Sequence, residues 1–108
     1  MPHKRDEAVG RGGPLHGLKV LDLTEHMAGP FCTMILADMG AEIVKLERPG
    51  KGDSVRAWGD GSERNPYFRY INRNKKGITL DYKQAQGRRC FCGSSKPWMC
   101  WSRTIGRP

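Results

Sequence analysis

The sequence predicts an α/β fold: an open parallel sheet, incomplete, followed by an irregular tail. Three observations carry this expectation. A strand-helix-strand pattern fits between residues 18 and 47, a third strand-like run stands at 77–81, and periodicity fails from residue 88. A connection of that kind joins parallel strands, and it is almost always right-handed.

The first strand is Leu18 to Thr24, a short apolar run with β-branched content. Glu25 to Gly29 makes a loop, and Pro30 follows at a favoured first helical position, with a fixed backbone angle and no donor to lose. Phe31 to Met39 is apolar nearly all round apart from Thr33 and Asp38, which predicts a buried helix, and Gly40 ends it. Glu42 to Glu47 is the second strand, broken by Pro49-Gly50-Lys51-Gly52. Residues 53–76 read as loop with some helix around Pro66 to Asn72, anchored by Trp58, Tyr67, Phe68 and Tyr70. Gly77 to Asp81 is the third strand, and Lys83 to Gly87 begins a helix.

The chain has 108 residues and a net charge of +8. Residues 1–86 hold 14 Lys and Arg against 11 Asp and Glu, whereas residues 87–108 hold five basic residues and no acid. That last stretch also carries three of the four cysteines (Cys90, Cys92, Cys100) and two of the three tryptophans (Trp98, Trp101). Two compositions therefore meet near Gly87. The expected organisation is a disordered leader at 1–13, one ordered unit at 14–87, and an irregular tail at 88–108 worded like a G+C-rich gene read out of frame. A chain of this length is expected to hold one small domain rather than a multidomain enzyme. No apolar run approaches the roughly 18 residues of a membrane span, and the polar start is not that of a secretory signal.

Open parallel sheets bind ligands outside the carboxyl ends of their strands. Here those ends are residues 25–29 and 47–52. Glu47 stands where a dinucleotide-binding acid would hold a ribose, but the loop 25–30 lacks the G-x-G-x-x-G that must accompany it. Arg48 can fork onto a phosphate, or pair on the surface with Glu47 or Asp53. The run Asn72-Arg73-Asn74-Lys75-Lys76 before the third strand is either a solvated face or a group placed to meet an anionic ligand.

Several blocks then match in order and spacing: residues 14–24, Ala28 to Thr33, Leu36 to Gly50 and Asn72 to Asp81. Together they resemble the N-terminal part of the class III CoA-transferases, the CaiB/BaiF family, over about residues 14–87. The resemblance implies a Rossmann-like large domain and two interlocked ring-shaped subunits, an assembly not expected of this piece alone. It implies transfer of CoA between carboxylic acids through an aspartyl-CoA intermediate, a case of nucleophilic catalysis by a carboxylate. Coenzyme A or acyl-CoA enters as substrate, a carboxylate is the acceptor, and no covalent cofactor is implied. Carried over by motif position, Met27 and Ala28 touch CoA after the first strand, Arg48 meets its nucleotide end, and Leu80 and Lys83 complete this half of the pocket.

Two departures bear on this. In formyl-CoA transferases a polar glutamine stands at the position of Met27, which puts formyl and oxalate chemistry in doubt here. None of Asp22, Asp38, Asp53, Asp60 or Asp81 matches the family's nucleophile, so no catalytic residue is assigned and the chain alone is expected to be inactive. An acyl-CoA racemase of the same family is the alternative, although the aromatic-bearing stretch 58–72 favours a transferase. A basic nucleic-acid-binding module is a further alternative, resting on the net charge and on Trp98, Trp101, Arg103 and Arg107, but no binding motif supports it. A zinc site would need four ligands, and Cys90, Cys92 and Cys100 supply three. Free thiols throughout suit a reducing compartment, and a cytoplasmic location is expected.

Overall fold

A computed structural model describes residues 13–59, 65–94 and 99–101. The expected leader at 1–13 falls almost entirely outside them, as do 95–98 and 102–108 of the tail. The elements are β1 (Lys19–Asp22), α1 (Ala28–Asp38), β2 (Glu42–Glu47), a 3-10 turn (Ser54–Ala57), α2 (Pro66–Ile71), β3 (Lys75–Thr79), α3 (Ala85–Ser94) and β4 (Met99–Trp101). The strands make one sheet in the order β3-β2-β1-β4, every neighbouring pair parallel. Lys19 stands opposite Glu42, Ile43 opposite Lys75 and Val20 opposite Met99. This is the strand order of a Rossmann half, in which the order reverses next to β1.

Side-chain alternation divides the sheet. Val20 and Ile43 face α1 and pack with Ala37 and Ala41, flanked by Leu15, Leu18 and Leu36. On the other face Leu21, Val44, Leu46 and Ile78 meet Cys90 and Phe91 of α3 around a cavity of about 250 Å³.

Helix α1 begins two residues before Pro30, because the Phe31 N–H already donates to the Met27 carbonyl at 2.9 Å. Proline within the first turn forfeits only a donor that would be orphaned there. Gly40, at φ 99°, closes the other end, with its N–H on the Ala37 carbonyl at 3.0 Å and the Ala41 N–H on that of Leu36 at 3.1 Å. The helix is not buried all round as expected. Gly29, Pro30, Thr33, Met34 and Ala37 face inward, while Phe31 and Ile35 remain 47% and 41% exposed.

The irregular tail expected from residue 88 is corrected. Helix α3 runs on to Ser94, and Met99–Trp101 pairs with β1. Ala85, Gln86, Arg88 and Arg89 are good helix formers, and Phe91 supplies the apolar contact expected of Leu, Val or Ile. The outer edge of β1 would otherwise be unpaired, and a three-residue apolar run is enough to cover it. Strand β3 starts two residues earlier than expected, because pairing with β2 draws Lys75 into the ladder opposite Ile43.

Candidate functional site at the carboxyl edge of the sheet

The three loops that leave β1, β2 and β3 open on one edge of the sheet. Two buried lysines hold the first two in place. Lys45, 2% exposed in mid-β2, places Nζ 2.8 Å from Asp53 Oδ2 and donates to the Thr24 carbonyl at 2.9 Å. Asp53 Oδ1 accepts the N–H groups of His26 at 3.3 Å and Val55 at 3.1 Å. One side chain in β2 thus ties the loop after β1 to the loop after β2.

Lys75 does the same for the root of β1. Its Nζ lies 3.1 Å from Asp22 Oδ2 and donates to the Pro30 carbonyl and Asn72 Oδ1, each at 2.9 Å. Asp22 also accepts the Thr24 N–H at 2.8 Å, the Thr33 hydroxyl at 2.7 Å and the Thr24 hydroxyl. Burial pushes the Asp22 carboxyl up, but Lys75, Lys45 and the two threonine hydroxyls outweigh it and hold the pKa below its ordinary value. Burial, partly offset by Asp22, lowers that of Lys75.

The first loop carries strain. His26 adopts φ 72°, unusual for a residue with a Cβ, and its Nε2 lies 3.0 Å from Ser54 Oγ. Met27 is 54% exposed, and Ala28 is exposed at the start of α1. In the second loop Arg48 pairs with Glu25, Nη2 lying 3.1 Å from Oε1 and 3.4 Å from Oε2, and not with Glu47 or Asp53. Those two are already engaged. Glu47 forks onto Arg56 through two contacts of 2.7 Å and accepts the Asp53 N–H at 2.9 Å. Burial raises the Glu47 pKa, yet Arg56, that N–H and Lys45 bring it below the ordinary value. An acid so committed does not reach for a ribose.

In the third loop the Leu80 N–H donates to the Glu47 carbonyl at 3.0 Å, and half-buried Leu80 lines the apolar cavity under α3. Lys83 is exposed, its N–H held by Asp81 Oδ1 at 3.1 Å. Met27, Ala28, Arg48, Leu80 and Lys83 therefore follow three adjacent strands on one edge. Between the second and third lies an open cavity of about 520 Å³, lined by Glu47, Arg48, Lys51, Arg56 and Thr79 among others.

The run Asn72 to Lys76 enters β3 at its amino end, where Arg73 and Asn74 bind Asp38 at 2.6 Å and 2.8 Å and Lys76 pairs with Glu42 at 3.1 Å; of its cations only the buried Lys75 reaches Asp22. The Arg73 contact holds the Asp38 carboxyl below its ordinary pKa.

Sequence reasoning misses Thr24, Thr33 and Lys45, and it misses the burial of Asp22, Asp53 and Lys75, which it names in other roles. Their signal was phase: Lys45 shares the strand face of Ile43, two residues away, and so must point into the core. Among the described residues no group of three His, Cys, Asp or Glu could hold a metal ion, and no helix is long and apolar enough to cross a membrane. The side chains of Cys92 and Cys100 lie outside the described residues.

A parallel sheet in Rossmann order, with basic loops at its carboxyl edge, defines an α/β protein of the doubly wound class. The comparisons give the family. The family model for CoA-transferase family III matches residues 15–93, and the chain belongs to that family. It is 52% identical over 77 residues to succinyl-CoA:glutarate CoA-transferase of Homo sapiens, covering 68% of this chain and 17% of that protein. It is 48% identical over 85 residues to succinyl-CoA:mesaconate CoA-transferase of Haloarcula hispanica, covering 73% and 21%. Among solved structures, a CaiB/BaiF family protein from Brucella suis superposes with a TM-score of 0.65 at 40% identity, over 71% of this chain and 22% of that one. A hypothetical protein of Mycobacterium tuberculosis gives 0.72 at 34% identity, over 82% and 24%. The chain thus spans about a fifth of the length of the relatives it matches.

Proposed function

We propose that this chain supplies the nucleotide-binding side of a coenzyme A pocket in a CoA-transferase that moves CoA between carboxylic acids. The observation that carries the reading is the place of Met27, Ala28, Arg48, Leu80 and Lys83 in the segments that follow three adjacent strands at one edge of the sheet, Arg48 lining the basic cavity there and Leu80 the apolar one. Arg48 and Lys83 are the cations for the phosphates, Arg48 as a planar fork and Lys83 as a point charge. Met27 and Ala28 stand at the start of α1, where free backbone N–H groups favour an anion. Leu80 offers an apolar edge.

The covalent step belongs to an aspartate outside this chain. It attacks the acyl-CoA thioester and expels the CoA thiolate, leaving a mixed anhydride. The thiolate then attacks the aspartyl carbonyl, releasing the carboxylate and forming aspartyl-CoA. The described aspartates have other work: Asp22 and Asp53 hold lysines, Asp38 holds Arg73, and Asp81 holds a turn. The relatives' names share dicarboxylates such as succinate, glutarate and mesaconate, which favours a dicarboxylic acyl group over racemase chemistry. The free thiols of Cys32 and Cys90 suit a reducing, cytoplasmic setting. An interlocked dimer belongs to the longer protein of this family.

Calorimetric titration with coenzyme A tests the pocket. Arg48→Ala should weaken binding, and an unchanged Kd removes Arg48 from the site. Transfer of CoA from succinyl-CoA to glutarate by the purified 108-residue chain would overturn the placement of the nucleophile outside it.

A further inference from the structure

The two arginines of the basic cavity are held in different ways. Arg56 is fixed: Glu47 grips it through two nitrogens at 2.7 Å, is itself only 10% exposed at the side chain, and is anchored by the Asp53 N–H. Arg48 is held loosely. Both Glu25 oxygens reach a single nitrogen, Nη2, at 3.1 Å and 3.4 Å, and the side chains are 44% and 32% exposed. Among the described residues Glu25 has no other charged partner, and Lys51 beside Arg48 makes no ion pair.

We propose that Glu25 is an internal competitor for Arg48: its carboxylate occupies the guanidinium until a phosphate-bearing ligand displaces it, so that Glu25 sets the affinity of the site. The inference rests on the proposed function, in which Arg48 meets the phosphates. Displacement needs only side-chain rotation. The loop stays in place when Glu25 lets go, because the His26 N–H on Asp53 and the His26–Ser54 contact tie it down independently. A phosphate carries more charge than a carboxylate and can fork onto guanidinium, so it wins the exchange, at the cost of the exposed pair it replaces.

The test is a titration of coenzyme A at one fixed, low ionic strength into the chain and its Glu25→Gln, Arg48→Ala and double variants. Glu25→Gln should tighten binding about two- to five-fold, the worth of an exposed ion pair. In the Arg48→Ala background the same substitution should do nothing. Glu42→Gln, whose partner Lys76 lies at the opposite edge, should leave the Kd unchanged. Tightening of equal size without Arg48, or by Glu42→Gln, means bulk repulsion and overturns the proposal. A silent Glu25→Gln beside a weakening Arg48→Ala overturns it as well but leaves the pocket standing. An Arg48→Ala that binds as the wild type does, or no binding by any variant, refutes the pocket itself.

Discussion

Replacing Lys45 with methionine keeps an unbranched side chain, one atom shorter, and removes its charge. Asp53, 1% exposed, would then keep the His26 and Val55 N–H groups but lose its cation, and the buried Thr24 carbonyl would lose its donor. Removing one partner of a buried ion pair costs about 3–5 kcal/mol, because the other charge is stranded out of water. A domain of this size has roughly 5–15 kcal/mol of stability, so the variant should sit near its unfolding limit. Lys76→Met is the control: its pair with Glu42 is 72% and 40% exposed, a class worth about 0–1 kcal/mol. Urea denaturation followed by far-UV circular dichroism measures both, and with a slope of about 1–2 kcal/mol per molar the midpoints should differ by roughly 2 M. Lys45→Met with Asp53→Asn should recover part of the loss, since an amide oxygen still accepts the two N–H groups without a stranded charge. Equal midpoints for Lys45→Met and Lys76→Met would refute the claim that the buried pair holds the loops.

Three further outcomes are expected. Asp22 and Glu47 are held below their ordinary values of 3.8 and 4.5, so their stabilising contribution is complete above about pH 4.5 and is lost as pH falls through the folded-state values; thermal midpoints should drop on acidification below that window, and a midpoint that rises there would contradict the charge assignment. Asn65→Ala should cost about 2–3 kcal/mol in the same urea assay, because the side chain caps α2 through the Tyr67 and Phe68 N–H groups and also donates to the Val55 and Trp58 carbonyls at 2.8 Å and 2.9 Å; a loss under about 0.5 kcal/mol would mean the cap is idle. Gly29→Ala would place a Cβ 2.3 Å from Thr24 Cβ, which is buried and bonded to Asp22, so about 1–3 kcal/mol should be lost and coenzyme A binding should weaken with it; wild-type stability and affinity would show that loop and helix do not meet so closely.

The parts of the fold legible in the sequence were those written in local pattern. The run Leu18 to Thr24, the punctuation of Pro30 and Gly40, and the alternation of Glu42 to Glu47 each report on a few neighbouring residues, and the crossover rule converts them into a parallel sheet with its site on a known edge. Helix α3 was less legible because its inward face carries Cys90 and Phe91 in place of the aliphatic stripe that marks a helix on a sheet. The pairing of charges was not legible at all. Arg48 has Glu47 beside it and Asp53 a few residues on, yet it reaches back to Glu25, because Lys45 has taken Asp53 into the interior and Arg56 has taken Glu47. Which acid remains for Arg48 is thus decided by a lysine buried in the strand before it and an arginine in the loop beyond it. The consequence is functional. On the proposed reading, exposed charges at the carboxyl edge exchange partners with a ligand above buried ones that stay fixed, and Lys45 bears on Arg48 by holding Asp53 away from it.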